Sequence, residues 1–281
     1  MRILIFGSNG QVGDALVKVL TEHNLIVLNR NDCDLQQVKQ IKNVINYNKP
    51  DLIINAAAYT NVDKAEIEKD IAFMVNCNAP RIMSERALEL NIPFIHLSTD
   101  YVFDGMKVGS YTEGDQGNPI NTYGKSKLAG EQAIQEIGGQ FYIFRTSWVY
   151  SNIGKNFYLT IKKLIKERRE LKVVVDQLGV PTSSKFLADN LKIIINQLSP
   201  SNTGIYHLVP DGYCSWYEFA EKIIDNNSTL FNKKNLLPIS IKDYDAKSKR
   251  PINSVLDNNL TKTIFMLKFN DWEREFDKHE A

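Results

Sequence analysis

A short apolar run that breaks into three evenly spaced glycines constrains this chain more than any other feature. Ile3-Leu4-Ile5-Phe6 reads as a buried strand, and Gly7-Ser8-Asn9-Gly10-Gln11-Val12-Gly13 follows it directly. Residues 15–20 then take helical periodicity. Strand, glycine turn and helix in this order form the opening of a dinucleotide-binding unit. The glycines allow a tight turn, close approach of backbone to a pyrophosphate and close packing of helix on strand. The helix N-terminus then offers unpaired N–H groups and a positive dipole end to phosphate. The spacing is G-x-x-G-x-x-G, one residue longer in its first interval than the G-x-G-x-x-G form.

Further apolar runs alternate with helical ones. Leu25 to Leu28 reads as a second strand, Val38 to Tyr47 as a helix, and Leu52 to Asn55 as a strand ending in Ala56-Ala57-Ala58. A polar loop from Tyr59 to Glu66 follows, then a helix from Asn76 to Leu90, and strands at 93–98 and 141–145. This alternation predicts an α/β fold, a Rossmann-type doubly wound parallel sheet. The pattern changes near residue 150. Residues 1–150 read as the dinucleotide-binding domain, with about 180–200 returning to it. Residues 151–281 read mainly as a smaller mixed α/β substrate-binding lobe. In that half, Phe157 to Arg169, Lys185 to Gln197 and Trp216 to Asn226 read as helices, and Leu171 to Val175 and Gly204 to Leu208 as strands. Loops are expected around Pro238 and Arg250-Pro251.

Cofactor choice is written at the end of the second strand. A carboxylate there accepts from the adenosine ribose 2′-OH, whereas an arginine accommodates a 2′-phosphate. Asn29-Arg30 stands at this place, which favours NADPH; Asp32 and Asp34 follow closely enough to leave NADH possible.

The candidate chemistry lies in Thr99 and in Tyr123-Gly124-Lys125-Ser126-Lys127. Tyr-x-x-x-Lys places a phenol and an ammonium about one helical turn apart, on one face. Alone the pattern is common. Beside a dinucleotide fold and a hydroxyl at a strand's carboxyl end it describes carbonyl reduction. The carbonyl oxygen must receive a proton as hydride reaches its carbon. Tyr123 can supply that proton, Lys127 can lower the tyrosine pKa, and Thr99 can hydrogen-bond the developing oxyanion. His96 and His207 lie inside strands and read as packing residues.

Bulk properties exclude other classes. A net charge of +1 gives no electrostatic footprint for nucleic acid or an anionic membrane. No apolar run is long enough to span a bilayer, and no signal peptide is evident. Cys33, Cys77 and Cys214 show no pairing pattern and, with the four histidines, no metal-ligand spacing. A cytoplasmic protein is expected.

The motifs together resemble those of the dTDP-4-dehydrorhamnose reductase family, within the extended short-chain dehydrogenase/reductases. They run in family order: the glycine loop; Asn55-Ala56-Ala57-Ala58-Tyr59-Thr60 with Val62-Asp63-Lys64-Ala65-Glu66; and Ser98-Thr99-Asp100-Tyr101-Val102-Phe103. They continue in Tyr123 to Glu131, Arg145 to Tyr150, Asp176-Gln177 with Gly179 and Pro181-Thr182, and Arg250-Pro251. The resemblance implies reduction of the 4-keto group of a nucleotide-linked 4-keto-6-deoxyhexose. It implies Thr99, Tyr123 and Lys127 as catalytic residues. The cofactor set it suggests is Gly7, Gly10, Gln11, Val12, Gly13, Arg30, Asp34, Leu35, Ala56, Ala57, Tyr59 and Asn76, with Tyr123 and Lys127. Thr60, Tyr101, Val102 and Trp148 fall where the family meets its sugar, and Arg250 is the candidate for the substrate diphosphate.

Some family members dimerise around a magnesium ion held by glutamates. Here those neighbourhoods carry Asp14-Ala15 and Ser184-Lys185, so no metal is expected, and the chain is expected as a monomer or weak homodimer. Two other readings stay open. One is a sister 4-ketoreductase acting on another dTDP- or UDP-linked sugar, for example giving 6-deoxy-L-talose. The other is a non-catalytic NADP-binding regulatory subunit, as in the related subunit of methionine adenosyltransferase.

Overall fold

The computed structural model describes residues 1–227, 231–245 and 247–280. Six strands form its central sheet: β1 (Arg2–Phe6), β2 (Asn24–Leu28), β3 (Leu52–Asn55), β4 (Phe94–Thr99), β5 (Phe141–Thr146) and β6 (Gly204–His207). Their order is β6-β5-β4-β3-β1-β2, and every pairing is parallel. The direction of winding reverses between β1 and β3. A crevice opens at such a switch point beyond the carboxyl ends of the strands, which is where open α/β sheets bind ligands.

Burial explains why β1, β3 and β4 are near-continuous apolar runs: helices cover both faces. Helices Gln11–Val19 and Ser184–Ile195 cover one face, packing Leu16, Leu187 and Leu191 against Ile3, Ile5 and Ile54. Helices Val38–Asn48, Ala79–Glu89 and Thr122–Ile137 cover the other, packing Ile41, Met83 and Ile134 against Leu4, Phe94 and Ile143.

A second core lies beside the sheet. Tyr150, Tyr158, Phe219 and Phe276 form its aromatic centre. Helices Phe157–Glu167 and Trp216–Asn227 pack there, with helix Trp272–Glu280. Its small parallel pair joins Leu171–Val174 to Leu236–Ile239. The loop expected around Pro238 is therefore a strand. A two-stranded pair has a free edge on each strand, so a proline without an N–H is tolerated there.

The segment before Ala79 also departs from the sequence reading. Helical structure begins at Lys69 and passes through a π-helical stretch, Met74–Asn78. That stretch holds Asn76, whose side chain donates to the Tyr59 carbonyl (3.0 Å) and to Ser126 Oγ (3.0 Å) and accepts from Tyr59 N–H (2.8 Å). π-turns inside helices are frequent at functional sites.

One buried ion pair ties the layers together. Glu131, on helix Thr122–Ile137, is fully buried and takes Arg145 of β5 through Nη2 (2.6 Å) and Nε (3.0 Å). Ser98 of β4 donates to the same carboxylate, and the Arg145 guanidinium lies 5.0 Å from the Phe103 ring centroid. Removing one member leaves a buried charge alone, which costs about 3–5 kcal/mol. Glu131→Leu is therefore expected to lower the urea-unfolding free energy by about that amount. Glu131→Leu combined with Arg145→Met is expected to recover most of it. A single-variant loss below about 1 kcal/mol, the surface-pair range, would refute the assignment.

Candidate active site

A cavity of about 580 Å³ opens at the switch point. Its floor is the glycine loop. Gly7 adopts φ +80°, and a Cβ there would lie 2.7 Å from Ala57 Cα. Gly13 is not part of the lining. It sits beneath Gly7, where a Cβ would lie 2.1 Å from the Gly7 carbonyl oxygen. The loop thus needs glycine at 7 for conformation and at 13 for packing.

Gly7, Gly10, Gln11 and Val12 line one end. Ala56, Ala57, Tyr59 and Thr60 line the side after β3. Arg30, Asp34 and Leu35 line the far end after β2. Asp32 folds back on its own turn, accepting from Asn29 N–H (2.9 Å), while Asn29 Oδ1 caps Asn31 N–H (2.8 Å). Asp34 Oδ1 accepts from Gln36 N–H (3.1 Å). The carboxylate nearest the strand end is therefore committed to its own turn, and Arg30 faces the cavity.

Tyr123 and Lys127 line the opposite wall. Their helix is held at its start by two side chains. Asn121 Oδ1 caps Gly124 N–H (2.8 Å), and Glu66 accepts from Thr122 N–H and Oγ1–H (both 2.8 Å). Its glycines set its depth. A Cβ on Gly124 would lie 2.1 Å from the Tyr101 carbonyl oxygen, and one on Gly130 2.1 Å from that of Asn76. This close approach brings Tyr123 to Thr99.

The electrostatics differ from the sequence expectation. Burial pushes the Tyr123 phenol up to about 12, a hydrogen bond with Thr99 acts downward, and nearby Asp100 acts upward. Lys127, only 1% exposed, turns inward: Nζ donates to the Leu97 carbonyl (2.6 Å) and lies 3.1 Å from His96 Nε2. Burial pushes the Lys127 amine down to about 8, opposed by Glu131. The lysine is thus directed at strand β4, and desolvation governs the tyrosine.

Thr99 stands just behind the cavity wall. Its hydroxyl donates to Asp100 Oδ1 (2.9 Å) and accepts from Tyr101 N–H (3.2 Å). Burial raises the Asp100 carboxyl to about 6, against hydrogen bonds from Ser254 and Thr99 that act downward.

The residues expected on the sugar side are dispersed outside this cavity, apart from Thr60. The Tyr101 ring meets Tyr123 edge-on at 5.8 Å. Val102 is fully buried in the second core, its side chain turned from the cavity. Trp148 stacks on Trp216 with centroids 3.5 Å apart, so at most one of its faces is open; its backbone φ is +44°. Arg250 lies 3.4 Å from Asp63, which also accepts from Ser248 Oγ (2.6 Å), and the buried Arg250 Nε has no partner. Asn76, within the wall, braces Tyr59 against Ser126 without reaching the cavity.

Some lining residues escaped the sequence reading. Gly154 and Lys155 reach the cavity from the loop after β5. Gln11 fastens that loop, accepting from Ser151 Oγ (2.8 Å) and Asn156 Nδ2 (2.7 Å). No local pattern marks a lysine as facing a site more than a hundred residues away. Where some family members place metal-binding glutamates, Asp14 pairs with Lys18 (2.7 Å) and Lys185 with Asp189 (2.6 Å).

Comparison with known proteins agrees with this geometry. The model of the RmlD substrate binding domain family matches residues 1–279. The dTDP-4-dehydrorhamnose reductase of Burkholderia thailandensis is 38% identical, covering 97% of this chain and 95% of the relative. A dTDP-4-dehydrorhamnose reductase from Bacillus anthracis, solved in complex with NADP, superposes with a TM-score of 0.91 at 35% identity; the match covers 99% of this chain and 98% of that one. A dTDP-4-dehydrorhamnose reductase ortholog from Clostridium acetobutylicum gives 0.93 at 35% identity, with the same coverage. The chain belongs to the RmlD family of dTDP-4-dehydrorhamnose reductases.

Proposed function

We propose that this protein reduces the 4-keto group of dTDP-4-dehydro-L-rhamnose with NADPH, giving dTDP-L-rhamnose. The observation that carries the reading is the convergence of Thr99, Tyr123 and Lys127 on one side of a cavity floored by the glycine loop, in a chain related to these reductases over nearly its full length.

The residues present fit the dinucleotide. Gly7 and Gly10 leave the loop backbone open to a pyrophosphate, Arg30 suits a 2′-phosphate, and Lys155 adds a cation at the cavity. When bound, NADPH supplies the hydride that reduces the carbonyl carbon. Tyr123 supplies the proton to the carbonyl oxygen. Thr99 holds that oxygen by turning its hydroxyl from Asp100 Oδ1, which leaves Asp100 buried near Tyr123. Arg250 offers its guanidinium to the substrate diphosphate once the Nη2 contact with Asp63 is exchanged. Tyr101, whose ring meets Tyr123 edge-on, is the best placed of the expected sugar contacts, whereas Val102 is buried in the second core.

On this reading residues 1–150 and the segment returning to the sheet hold the cofactor, and the rest of 151–281 holds the sugar nucleotide. No helix among the described residues is long and apolar enough to cross a membrane. All three cysteines are free, which suits a reducing cytoplasm.

The reaction is tested by nicotinamide absorbance with NADPH and the dTDP-linked ketosugar, and by NMR of the product at C4. No turnover, or the opposite C4 configuration, would refute the assignment. Tyr123→Phe is expected to lower kcat by about 10²–10⁴ while binding NADPH normally. Full activity of this variant would remove Tyr123 as the acid. Lys155→Glu is expected to weaken NADPH binding about three- to tenfold, less at high salt, with kcat nearly unchanged. Unaltered affinity at low salt would exclude Lys155 from the cofactor site.

A further inference from the structure

We infer that Asn121 is a positioning residue that couples diphosphate binding at Arg250 to the seating of Tyr123, acting through the backbone of Lys249. This inference rests on the reading of Arg250 as the diphosphate contact and of Tyr123 as the proton donor.

Two partners fix the orientation of the Asn121 amide. The Gly124 N–H can only donate, so the atom it meets at 2.8 Å is Oδ1. The Lys249 carbonyl can only accept, so the atom 2.9 Å from it is Nδ2. Asn121 is only 2% exposed, and water cannot readily replace either bond. One side chain therefore caps the helix that carries Tyr123 and grips a segment 128 residues away.

Three successive residues fasten that segment. Ser248 Oγ donates to Asp63 Oδ1 at 2.6 Å, the Lys249 carbonyl accepts from Asn121 at 2.9 Å, and Arg250 Nη2 reaches Asp63 Oδ2 at 3.4 Å. On its other side the Pro251 carbonyl accepts from buried Gln177 (3.1 Å), and the Leu178 backbone bonds to Ile252 and Ser254 (both 2.8 Å). The segment thus bridges the two cores. Asp63 lies in the short helix Val62–Ala65, and Glu66 directly after it holds Thr122. Asn121, Lys249, Arg250, Asp63, Glu66 and Thr122 form a closed ring of contacts. Tyr123 sits between the two residues that the ring fixes, Thr122 and Gly124.

The loosest link in the ring is the one a diphosphate would take. At 3.4 Å the Arg250–Asp63 contact is long for a charge-assisted bond, and both side chains are partly exposed. A phosphate offers the guanidinium two parallel bonds and so a firmer hold. Tyr101 stands between the two ends. Its ring meets Tyr123 edge-on; burial chiefly raises its phenol, Asp100 adds to that, Arg250 opposes it, and Tyr123 and Asp63 add further. A ligand reaching from Tyr123 to Arg250 passes this ring. With Arg250 pinned by the diphosphate, the Lys249 carbonyl becomes a fixed acceptor, Asn121 is held, and the turn bearing Tyr123 loses freedom. Binding of the nucleotide then raises kcat, rather than only lowering KM.

Asn121→Ser and Asn121→Asp both keep a helix cap and remove the donor to Lys249. Hydrogen-exchange mass spectrometry of the full chain with dTDP reads the coupling without turnover. dTDP is expected to slow exchange across residues 122–125 about fivefold in the wild type, and to leave it unchanged in Asn121→Ser although it binds. Binding without protection in the wild type would overturn the inference alone; no dTDP binding at all would overturn the reading of Arg250 with it. Kinetics give the second readout. On the dTDP-linked ketosugar both variants are expected to lose about five- to tenfold in kcat, the equivalent of one hydrogen bond, with KM within about twofold. On the free 6-deoxy-4-ketohexose, which leaves Arg250 on Asp63, variants and wild type are expected to turn over equally. An equal loss on both substrates would show a merely structural cap and defeat the inference, as would full kcat of both variants on the dTDP-linked sugar.

Discussion

The close approach of one helix to the sheet's carboxyl edge underlies the rest of the site. Helix Thr122–Ile137 lies so deep that a single methyl group at Gly124 or Gly130 would overlap a carbonyl oxygen. Depth has an electrostatic consequence. It buries Lys127 and Glu131 where water cannot solvate them, so each must find partners in the protein. Glu131 finds Arg145 and Ser98; Lys127 finds Leu97 and His96. The polar chemistry of the site therefore follows from glycine packing.

Tyr123 shows what such burial does to an acid. Beside an exposed ammonium its pKa would fall. Here desolvation dominates and the phenol is held protonated, while Thr99 and Asp100 act in opposite senses. A proton donor that stays protonated at rest is suited to reduction. The same depth removes the lysine from the tyrosine and commits it to β4. Tyr123 and Lys127 share a helix face and a cavity wall, yet their hydrogen bonds run in different directions.

Much of the fold was legible in the residues. Parallel strands buried on both faces must be continuous apolar runs, and helices on a sheet must show a 3.6-residue period; both signals are strong in the first half. The strand at Leu236–Ile239 was hidden because Pro238 normally argues against a strand, and only the free edge of a two-stranded pair permits it. The π-helical stretch at Met74–Asn78 was hidden because one extra residue in a turn leaves almost no trace in periodicity. His96 read as packing because a histidine inside a strand says nothing about what lies across the neighbouring strand. Lys155 carried no local signal for the same reason.

By itself the sequence determined the local chemistry: which turn can approach a pyrophosphate, which helix face carries a phenol and an amine, and which strand end offers a hydroxyl. These depend on spacings of a few residues, and short-range geometry is set by the backbone. Tertiary structure decided the protonation and direction of those groups. Strand register set Asn55 against His96, helix depth set Lys127 against His96 and Leu97, and folding of the loop after β5 set Lys155 over the glycine turn. Such pairings join residues tens to more than a hundred positions apart. Their energies come from burial and hydrogen-bond direction, and neither exists until the chain has folded.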